Sequence, residues 1–478
     1  MSRATRFGLG RFEREGYAPA MWMRSVVGVL VVAAMAAPSF ANGRPAGTST
    51  INFKQGDESK IAAGMTFGMV ESDDGGATWH WMCESAIRYG GMYDPDYAYT
   101  SSGAIFATTF DGALVRRDSC NFDPSSFGMG VFVSTLAQGP DGALYFGLAQ
   151  PANPTTSEPG DAKIYKSTDN GMTFPISASI GQVNDWWSSI EVAPSDAQRV
   201  YVTGYRLVGN GREFLLFRSD NGGTSYTPMG TTGLLPTNNS TIDIVGISKT
   251  DPDVVFARVS FLSEGSIGDG IFRSLDGGQT WTKIVERDAE IAFAIRANGD
   301  YLIGTKPYGM SVARNPGTGS VTWEDLAGSP HVNCIVENAA GEVWVCSQNF
   351  GSPGTQSDDA GIMKTTDLAT WTKVLRYQEI AGPLECAVGT LQQDTCVAHD
   401  PQTDISQWCT LRTMFGIPAD PTCCPSVIDG EVKACAGATD GITGNKPGCC
   451  DNNASGAQTG LLSGLVVGGI LLRRRRKR

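Results

Sequence analysis

Four consecutive residues, Asn184, Asp185, Trp186 and Trp187, form the group in this sequence that is best suited to contact a sugar. An indole ring stacks on the apolar CH face of a pyranose, and a neighbouring carboxylate or amide hydrogen-bonds its hydroxyl groups. The group stands at the start of a predicted β-strand. We therefore predict a ligand site centred on Asp185, Trp186 and Trp187. The alternative is that one tryptophan packs in the protein core.

The elements that must position this group follow from a repeated motif of the form Ser-x-Asp-x-Gly-x-Thr-aromatic. It occurs in full at Ser72–Trp79, Ser167–Phe174 and Ser274–Trp281, with weaker copies at Ser219–Tyr226 and Thr365–Trp371 and decayed ends at Phe122 and Trp323. The seven terminal aromatic residues are 42 to 55 residues apart, which is the length of a four-stranded propeller blade. The motif resembles the Asp-box, or bacterial neuraminidase repeat, of the sialidase and sortilin-like superfamily.

This resemblance implies an all-β, seven-bladed propeller over residues 48–384, with short strands closing into a ring that leaves no exposed sheet edge. It also implies that the box residues are structural rather than catalytic. Their side-chain oxygens bond backbone amides of a tight turn, and the aromatic ring packs between sheets. We assign this role to Ser72, Asp74, Trp79, Ser167, Asp169, Phe174, Ser274, Asp276 and Trp281.

In propellers of this kind the loops that lead from strand D to the next strand A, and from strand B to strand C, surround one mouth of the central channel. The Asp-boxes lie on the opposite rim. Asp185, Trp186 and Trp187 belong to the mouth in this arrangement. Five further residues are predicted to line it: Arg88, Tyr89, Glu290, Tyr308 and His331.

Catalysis is less well supported than binding. Sialidases need three arginines around the sugar carboxylate, an acid/base residue and a tyrosine nucleophile. The sequence has no Arg-Ile-Pro segment near its first strands, Arg116 and Arg117 adjoin a decayed box, and Arg218 and Arg273 directly precede boxes. We therefore predict a non-catalytic module that binds a glycan or an extracellular protein, and keep a divergent, exo-acting glycoside hydrolase as the alternative.

Charge and the amino-terminal segment restrict location and partners. The apolar run 26–37 followed by Ser39-Phe40-Ala41 is typical of a signal peptide spanning residues 1–41, which predicts export. The formal net charge is −12, so binding to a nucleic acid backbone is not expected. A monomeric ring without metal or cofactor is predicted.

The twelve cysteines agree with export, because disulfides form in oxidising compartments. Cys334 and Cys346 lie symmetrically about a predicted hairpin turn and are expected to pair. Cys83 and Cys120, each beside a box, are a second candidate pair, or else two unpaired structural thiols. Residues 385–450 hold eight more cysteines and are predicted to form a small disulfide-stapled segment, because no CxxC spacing indicates zinc.

Residues 451–478 combine a short apolar stretch with a terminal run of arginine and lysine. The stretch is too short to span a bilayer as a helix. Together with the preceding Cys449-Cys450 doublet, it resembles the myxobacterial C-terminal sorting signal, which implies transient membrane contact, processing, and display at the cell surface or outer membrane.

Overall fold

A computed structural model gives the fold. It describes residues 44–433, with gaps at 91–92, 111, 118–119, 128–129, 150–159, 184, 210, 263–267, 353, 399–405, 419–425 and 429–430. The predicted signal peptide and sorting tail lie outside the described residues, as does the part of the cysteine-rich segment after residue 433.

Seven antiparallel sheets of four strands follow one another along the chain, so the predicted seven-bladed propeller is confirmed. Blades 1 to 4 consist of β1 Thr48–Lys54, β2 Asp57–Met65, β3 Gly68–Ser72, β4 His80–Met82; β5 Tyr97–Tyr99, β6 Ile105–Thr109, β7 Gly112–Arg116, β8 Asp123–Pro124; β9 Val133–Gln138, β10 Leu144–Leu148, β11 Lys163–Ser167, β12 Ile176–Ser179; and β13 Trp186–Ala193, β14 Asp196–Val208, β15 Gly211–Ser219, β16 Thr227–Pro228. Blades 5 to 7 consist of β17 Ile242–Ile247, β18 Val255–Val259, β19 Asp269–Ser274, β20 Thr282–Arg287; β21 Ala292–Ile295, β22 Tyr301–Thr305, β23 Gly309–Ala313, β24 Glu324–Asp325; and β25 Cys334–Glu337, β26 Val343–Cys346, β27 Ile362–Thr365, β28 Thr372–Leu375.

The first strand of each blade contacts the first strand of the next, and β25 contacts β1, so these strands form a closed inner ring. After blade 7 the chain forms a 3₁₀ helix, Tyr377–Glu379, and then β29 (Gly382–Pro383), which pairs in parallel with the outer strand β4. A π-helix (Gln392–Val397), a helix at Gln407–Phe415 and a small hairpin, β30 Ser426–Ile428 with β31 Glu431–Lys433, follow. The last blade is thereby tied to the first.

The core lies between blades rather than within one layer. The middle strands are apolar on both faces, because each sheet is covered by a neighbouring blade on both sides, and all five residues of Tyr301–Thr305 are buried for this reason. Between blades 3 and 4, Tyr145, Trp187 and Phe217 share one cluster. Between blades 4 and 5, Tyr201, Phe272 and Trp281 share another.

The Asp-box turns join the third and fourth strands of their blades and have the expected hydrogen bonds. In blade 3, Ser167 donates to Asp169 at 2.6 Å, and the amides of Gly171 and Thr173 donate to Ser167 Oγ and Asp169 Oδ1 at 2.9 and 3.0 Å. Hydrogen bonds from Ser167 and Thr173 hold the pKa of Asp169 well below its usual range. The boxes starting at Ser72 and Ser274 repeat this pattern, and Trp79 and Trp281 are buried.

Basic residues just before the boxes link each turn to the next blade. Arg117 donates to the carbonyl of Gly171 at 2.9 Å, Arg218 to that of Gly277 at 3.2 Å, and Arg273 to that of Gly319 at 2.7 Å. Lys166 donates to Gly222 at 2.9 Å in the same way. These side chains therefore stabilise the rim opposite the mouth.

Three disulfides are described. Cys334 pairs with Cys346 across the blade 7 hairpin, as predicted. The expected pairing of Cys83 with Cys120 is wrong: Cys83 bonds Cys396 and Cys120 bonds Cys386. The parallel addition of β29 brings the cysteine-rich segment against blades 1 and 2, so both ring cysteines find partners there. Disulfides of this kind are typical of a protein that folds in an oxidising, extracytoplasmic environment.

The helix Gln407–Phe415, here called the cap helix, packs on blades 1 and 7. Phe415 lies 5.0 Å from Phe67 and 5.3 Å from Tyr377 between ring centroids, and Trp408 lies 5.6 Å from Trp81. Among the described residues, no helix combines the length and the apolar character needed to cross a membrane.

Candidate functional site

The Asp-box turns join strands C and D at one rim of the ring. The B–C and D–A loops therefore lie at the opposite end, which is the mouth. Eleven large hydrophobic side chains are exposed in the described part of the chain. Six of them lie in B–C or D–A connections, and two more end strand β14 at the mouth: Phe110, Val183, Leu235, Phe261, Tyr308 and Phe350, with Leu207 and Val208. Such clustering on one face of a ring indicates a binding surface rather than scattered surface residues.

Two members of the predicted Asp185–Trp187 site do not face this surface. The Asp185 carboxylate is fully buried. It accepts two hydrogen bonds from Arg206, at 2.6 and 2.8 Å, and one from the backbone N–H of Gln182, at 2.7 Å. Trp187 is 2% exposed, donates to the Ala162 carbonyl at 2.9 Å and packs edge-on against Phe217. The structure assigns both to the framework, since ion pairing and core packing already use the groups expected to meet a ligand.

Trp186 is the member of the trio that stays half-buried at the mouth. Its side chain leaves the strand on the face opposite to Trp187, as successive residues of a strand do. The ring lies 5.4 Å from that of Phe132, on the neighbouring blade. The predicted site is thereby reduced to one indole with a new aromatic neighbour.

The other predicted mouth residues divide between framework and surface. Tyr89 is buried and donates to the Met65 carbonyl at 3.0 Å, and Arg88 ends the helix Glu84–Ile87 with a left-handed φ of 62°. His331 is held by Asp358, 2.9 Å from its Nδ1. Tyr308 is 62% exposed, and Glu290 is exposed and lies 3.5 Å from Arg258. Tyr308 and Glu290 therefore remain available to a ligand on blades 5 and 6.

The central channel holds a cavity of about 490 Å³ lined by residues from all seven blades. Its acidic and basic lining residues in the described part of the chain are Asp96, Glu191, Asp243 and Arg258. Arg258 binds Asp243 at 3.1 Å, which leaves Asp96 and Glu191 as carboxylates without a basic ion-pair partner among the described residues. The channel wall is consequently acidic.

Both of these carboxyl groups have raised pKa values. Burial, with repulsion from Asp96, raises the pKa of Glu191 to about 8. Withdrawal from bulk water, with repulsion from Asp243, raises the pKa of Asp96 to about 6, although Asp96 keeps accessible surface inside the channel. Glu191 is thus largely protonated at neutral pH.

The raised pKa of Glu191 predicts a pH dependence of stability. In the unfolded chain Glu191 ionises near its ordinary value of 4.5, whereas in the folded ring it keeps its proton up to about pH 8. The folded state binds more protons between these values, so its free energy of unfolding should fall as the pH rises from about 4.5 to about 8. Glu191→Gln should remove this loss and make the ring more stable than the wild type at pH 8, by about 1 to 2 kcal/mol.

Urea unfolding at pH 5 and pH 8 measures the effect as the difference between variant and wild type. Glu324→Gln is the matched control, because the Glu324 side chain is exposed and lies 3.9 Å from Arg314. Equal pH slopes for the wild type and Glu191→Gln would contradict the assigned ionisation.

The described residues do not form a sialidase arginine triad or a metal site. Arg117, Arg218 and Arg273 bind carbonyls at the Asp-box rim, and Arg116 pairs with Glu71, so the arginines considered for a sialidase triad lie away from the mouth. Within the residues that the structure describes, no group of three or more His, Cys, Asp or Glu side chains is placed to hold a metal ion.

This chain is distantly similar to proteins of known structure or activity. No family model matches the chain. A curated xyloglucanase from Paenibacillus sp is 23% identical over 302 residues, which cover 62% of this chain and 26% of the relative. The chain thus spans about a quarter of the length of this curated relative.

Among solved structures, an ancestral GH74 enzyme is 13% identical with a TM-score of 0.49, covering 70% of this chain and 47% of that one. The GH74 xyloglucanase from Xanthomonas campestris is 14% identical with a TM-score of 0.36, covering 68% and 58%.

Proposed function

We propose that this chain is an exported propeller that binds a glycan on its mouth face without cleaving it. The concentration of exposed hydrophobic and aromatic side chains in the mouth loops carries this proposal. Aromatic rings at such a surface contact the CH faces of sugars, and the surrounding loops supply hydroxyl, amide and carboxylate groups for the sugar hydroxyls. The disulfides fit a protein that works outside the cytoplasm.

The curated relative supports a glycan over an extracellular protein as the ligand, since that relative is named a xyloglucanase. The charge of the chain also indicates which class of glycan it binds. A formal net charge of −12 and an acidic channel wall disfavour polyanionic glycans. Display at the cell surface through the sorting tail is part of the same proposal.

Glycoside hydrolysis is the second candidate function. A general acid must be protonated at working pH while its partner carboxylate is ionised, and environments that separate two carboxyl pKa values create such pairs. Glu191, with a pKa of about 8, and Asp96, with a pKa of about 6, have this relation in the channel. If the protein cleaves glycosides, these two residues are the acid/base candidates.

One experiment separates the two functions. The purified protein is applied to a panel of neutral and acidic polysaccharides in affinity electrophoresis, and each polysaccharide is then assayed for new reducing ends. We expect retardation by a neutral polysaccharide and no release of reducing ends. Release that is lost in Glu191→Gln, with binding kept, would establish the hydrolase. Absence of retardation by every polysaccharide would reject glycan binding.

A further inference from the structure

Four aromatic rings from three consecutive blades lie in contact along the mouth rim. Tyr93 precedes β5 and Phe110 follows β6 in blade 2, Phe132 precedes β9 in blade 3, and Trp186 begins β13 in blade 4. Successive ring centroids are 4.5, 4.9 and 5.4 Å apart, with Phe110 and Phe132 nearly parallel at 13°. We call this row the aromatic ridge.

Contacts with the framework of the ring fix both ends of the aromatic ridge. The Tyr93 hydroxyl donates to the Thr108 carbonyl, which fixes the ring at one end. At the other end Trp186 stands between two framework residues, the ion-paired Asp185 and the core residue Trp187. A rigid aromatic surface loses little conformational freedom when a ligand binds, which favours affinity.

The mouth offers an internal comparison on blades 7 and 1. The Phe415 ring of the cap helix packs on three aromatic rings there, of which Phe67 and Tyr377 are buried and Phe350 is 42% exposed. On blades 2 to 4 Phe110 is 58% exposed and Trp186 is half-buried. The chain thus covers Phe67 and Tyr377 with its own helix, whereas Phe110 is exposed to solvent.

We propose that the aromatic ridge binds a neutral polysaccharide chain that lies along the rim of blades 2 to 4, with sugar faces on Phe110 and Trp186. This inference rests on the proposed glycan binding and specifies its site and ligand class. Contiguous rings running across three blades match the length of several sugars, whereas recognition of one terminal sugar needs a closed pocket. Asp96, in the wall of the central channel, can accept hydroxyl hydrogen bonds and repels polyanions.

The test measures affinity for hydroxyethylcellulose, with polygalacturonate as the polyanionic counterpart. Phe110→Ala and Trp186→Ala should each weaken binding to hydroxyethylcellulose by about fivefold to tenfold. Phe261→Ala and Tyr308→Ala test the exposed rings on blades 5 and 6 of the mouth. Met172→Ala and Leu275→Ala are the controls, because both remove an exposed hydrophobic side chain from the Asp-box rim, away from the mouth. These controls should change affinity by less than about twofold. Thermal unfolding of each variant establishes that the ring is folded, and Phe110→Trp should retain binding.

The outcomes distinguish this inference from the function on which it rests. Weaker binding by Phe261→Ala or Tyr308→Ala, with the ridge variants unchanged, would keep glycan binding and overturn the ridge. Tighter binding of polygalacturonate than of hydroxyethylcellulose would overturn the neutral ligand class, and competition by glucose as effective as by a cello-oligosaccharide would overturn the chain-like ligand. No binding of any polysaccharide would reject the proposed function and the ridge together.

Discussion

Replacing Arg206 by alanine is expected to lower the free energy of unfolding by about 3 kcal/mol. The Asp185 carboxylate has no solvent exposure and receives two hydrogen bonds from Arg206, at 2.6 and 2.8 Å. Without the guanidinium, the buried Asp185 carboxylate keeps one hydrogen-bond donor among the described residues, the backbone N–H of Gln182. Leaving one charge of a buried pair uncompensated costs far more than breaking a surface pair.

The effect should be specific to the buried partner. Arg206 also contacts Glu213 at 3.2 Å, but that carboxylate is 55% exposed, so Glu213→Ala should change stability by no more than about 0.5 kcal/mol. Adding Asp185→Asn to Arg206→Ala should restore part of the loss, because the uncompensated charge is then absent. Urea unfolding of the four proteins measures these differences. A loss in Arg206→Ala no larger than in Glu213→Ala would contradict the structural role of Asp185.

The propeller was predictable because its signal is local and repeated. Each full box brings a serine, an aspartate, a glycine and an aromatic residue within eight positions, and their hydrogen bonds form inside one turn. Seven such turns at blade-like spacing determine the number of sheets. The order of the blades in the ring follows from their order in the chain, since consecutive blades pack against each other.

The candidate site was only partly predictable, because exposure depends on distant partners. Asp185 has the residue type of a sugar ligand, but its partner Arg206 lies on the next strand and removes it from solvent. Strand alternation alone implies that Trp186 and Trp187 face opposite sides. The sequence did not indicate which side meets the neighbouring blade.

The aromatic ridge gave no local signal. Tyr93, Phe110, Phe132 and Trp186 come from four separate segments, and only blade packing brings their rings together. A search for one aromatic residue in each B–C or D–A loop of consecutive blades would have found them.

The disulfides also divide into one with a local sequence signal and two that depend on distant parts of the chain. Cys334 and Cys346 are symmetric about a hairpin turn, so their pairing follows from the register of two adjacent strands. The partners of Cys83 and Cys120 depend on β29, whose two residues pair in parallel with β4 after the chain has completed the ring. No residue pattern in the sequence predicts this two-residue strand.

Removing the two disulfides that join the cysteine-rich segment to the ring should produce the largest loss of stability. Cys83–Cys396 and Cys120–Cys386 link residues 313 and 266 positions apart, and a bridge across so long a loop restricts the unfolded chain by about 5 kcal/mol. The two loops are nested, so with one bridge present the other closes a much shorter loop. Replacing the cysteines of one bridge by alanine should therefore cost only about 4 kcal/mol.

Removing both bridges should cost more than the sum of the two single losses, because only then does the unfolded chain regain the freedom of the long loop. Unfolding in urea without reductant measures the three variants against the wild type. The control is Cys334→Ala with Cys346→Ala, which opens a bridge between residues 12 positions apart in one hairpin and should add independently to either single loss. Strictly additive losses for the two long-range bridges would mean that they do not constrain the same part of the unfolded chain. Negligible losses in all three variants would instead mean that the segment stabilises the ring through the contacts of β29 and the cap helix rather than through its cross-links.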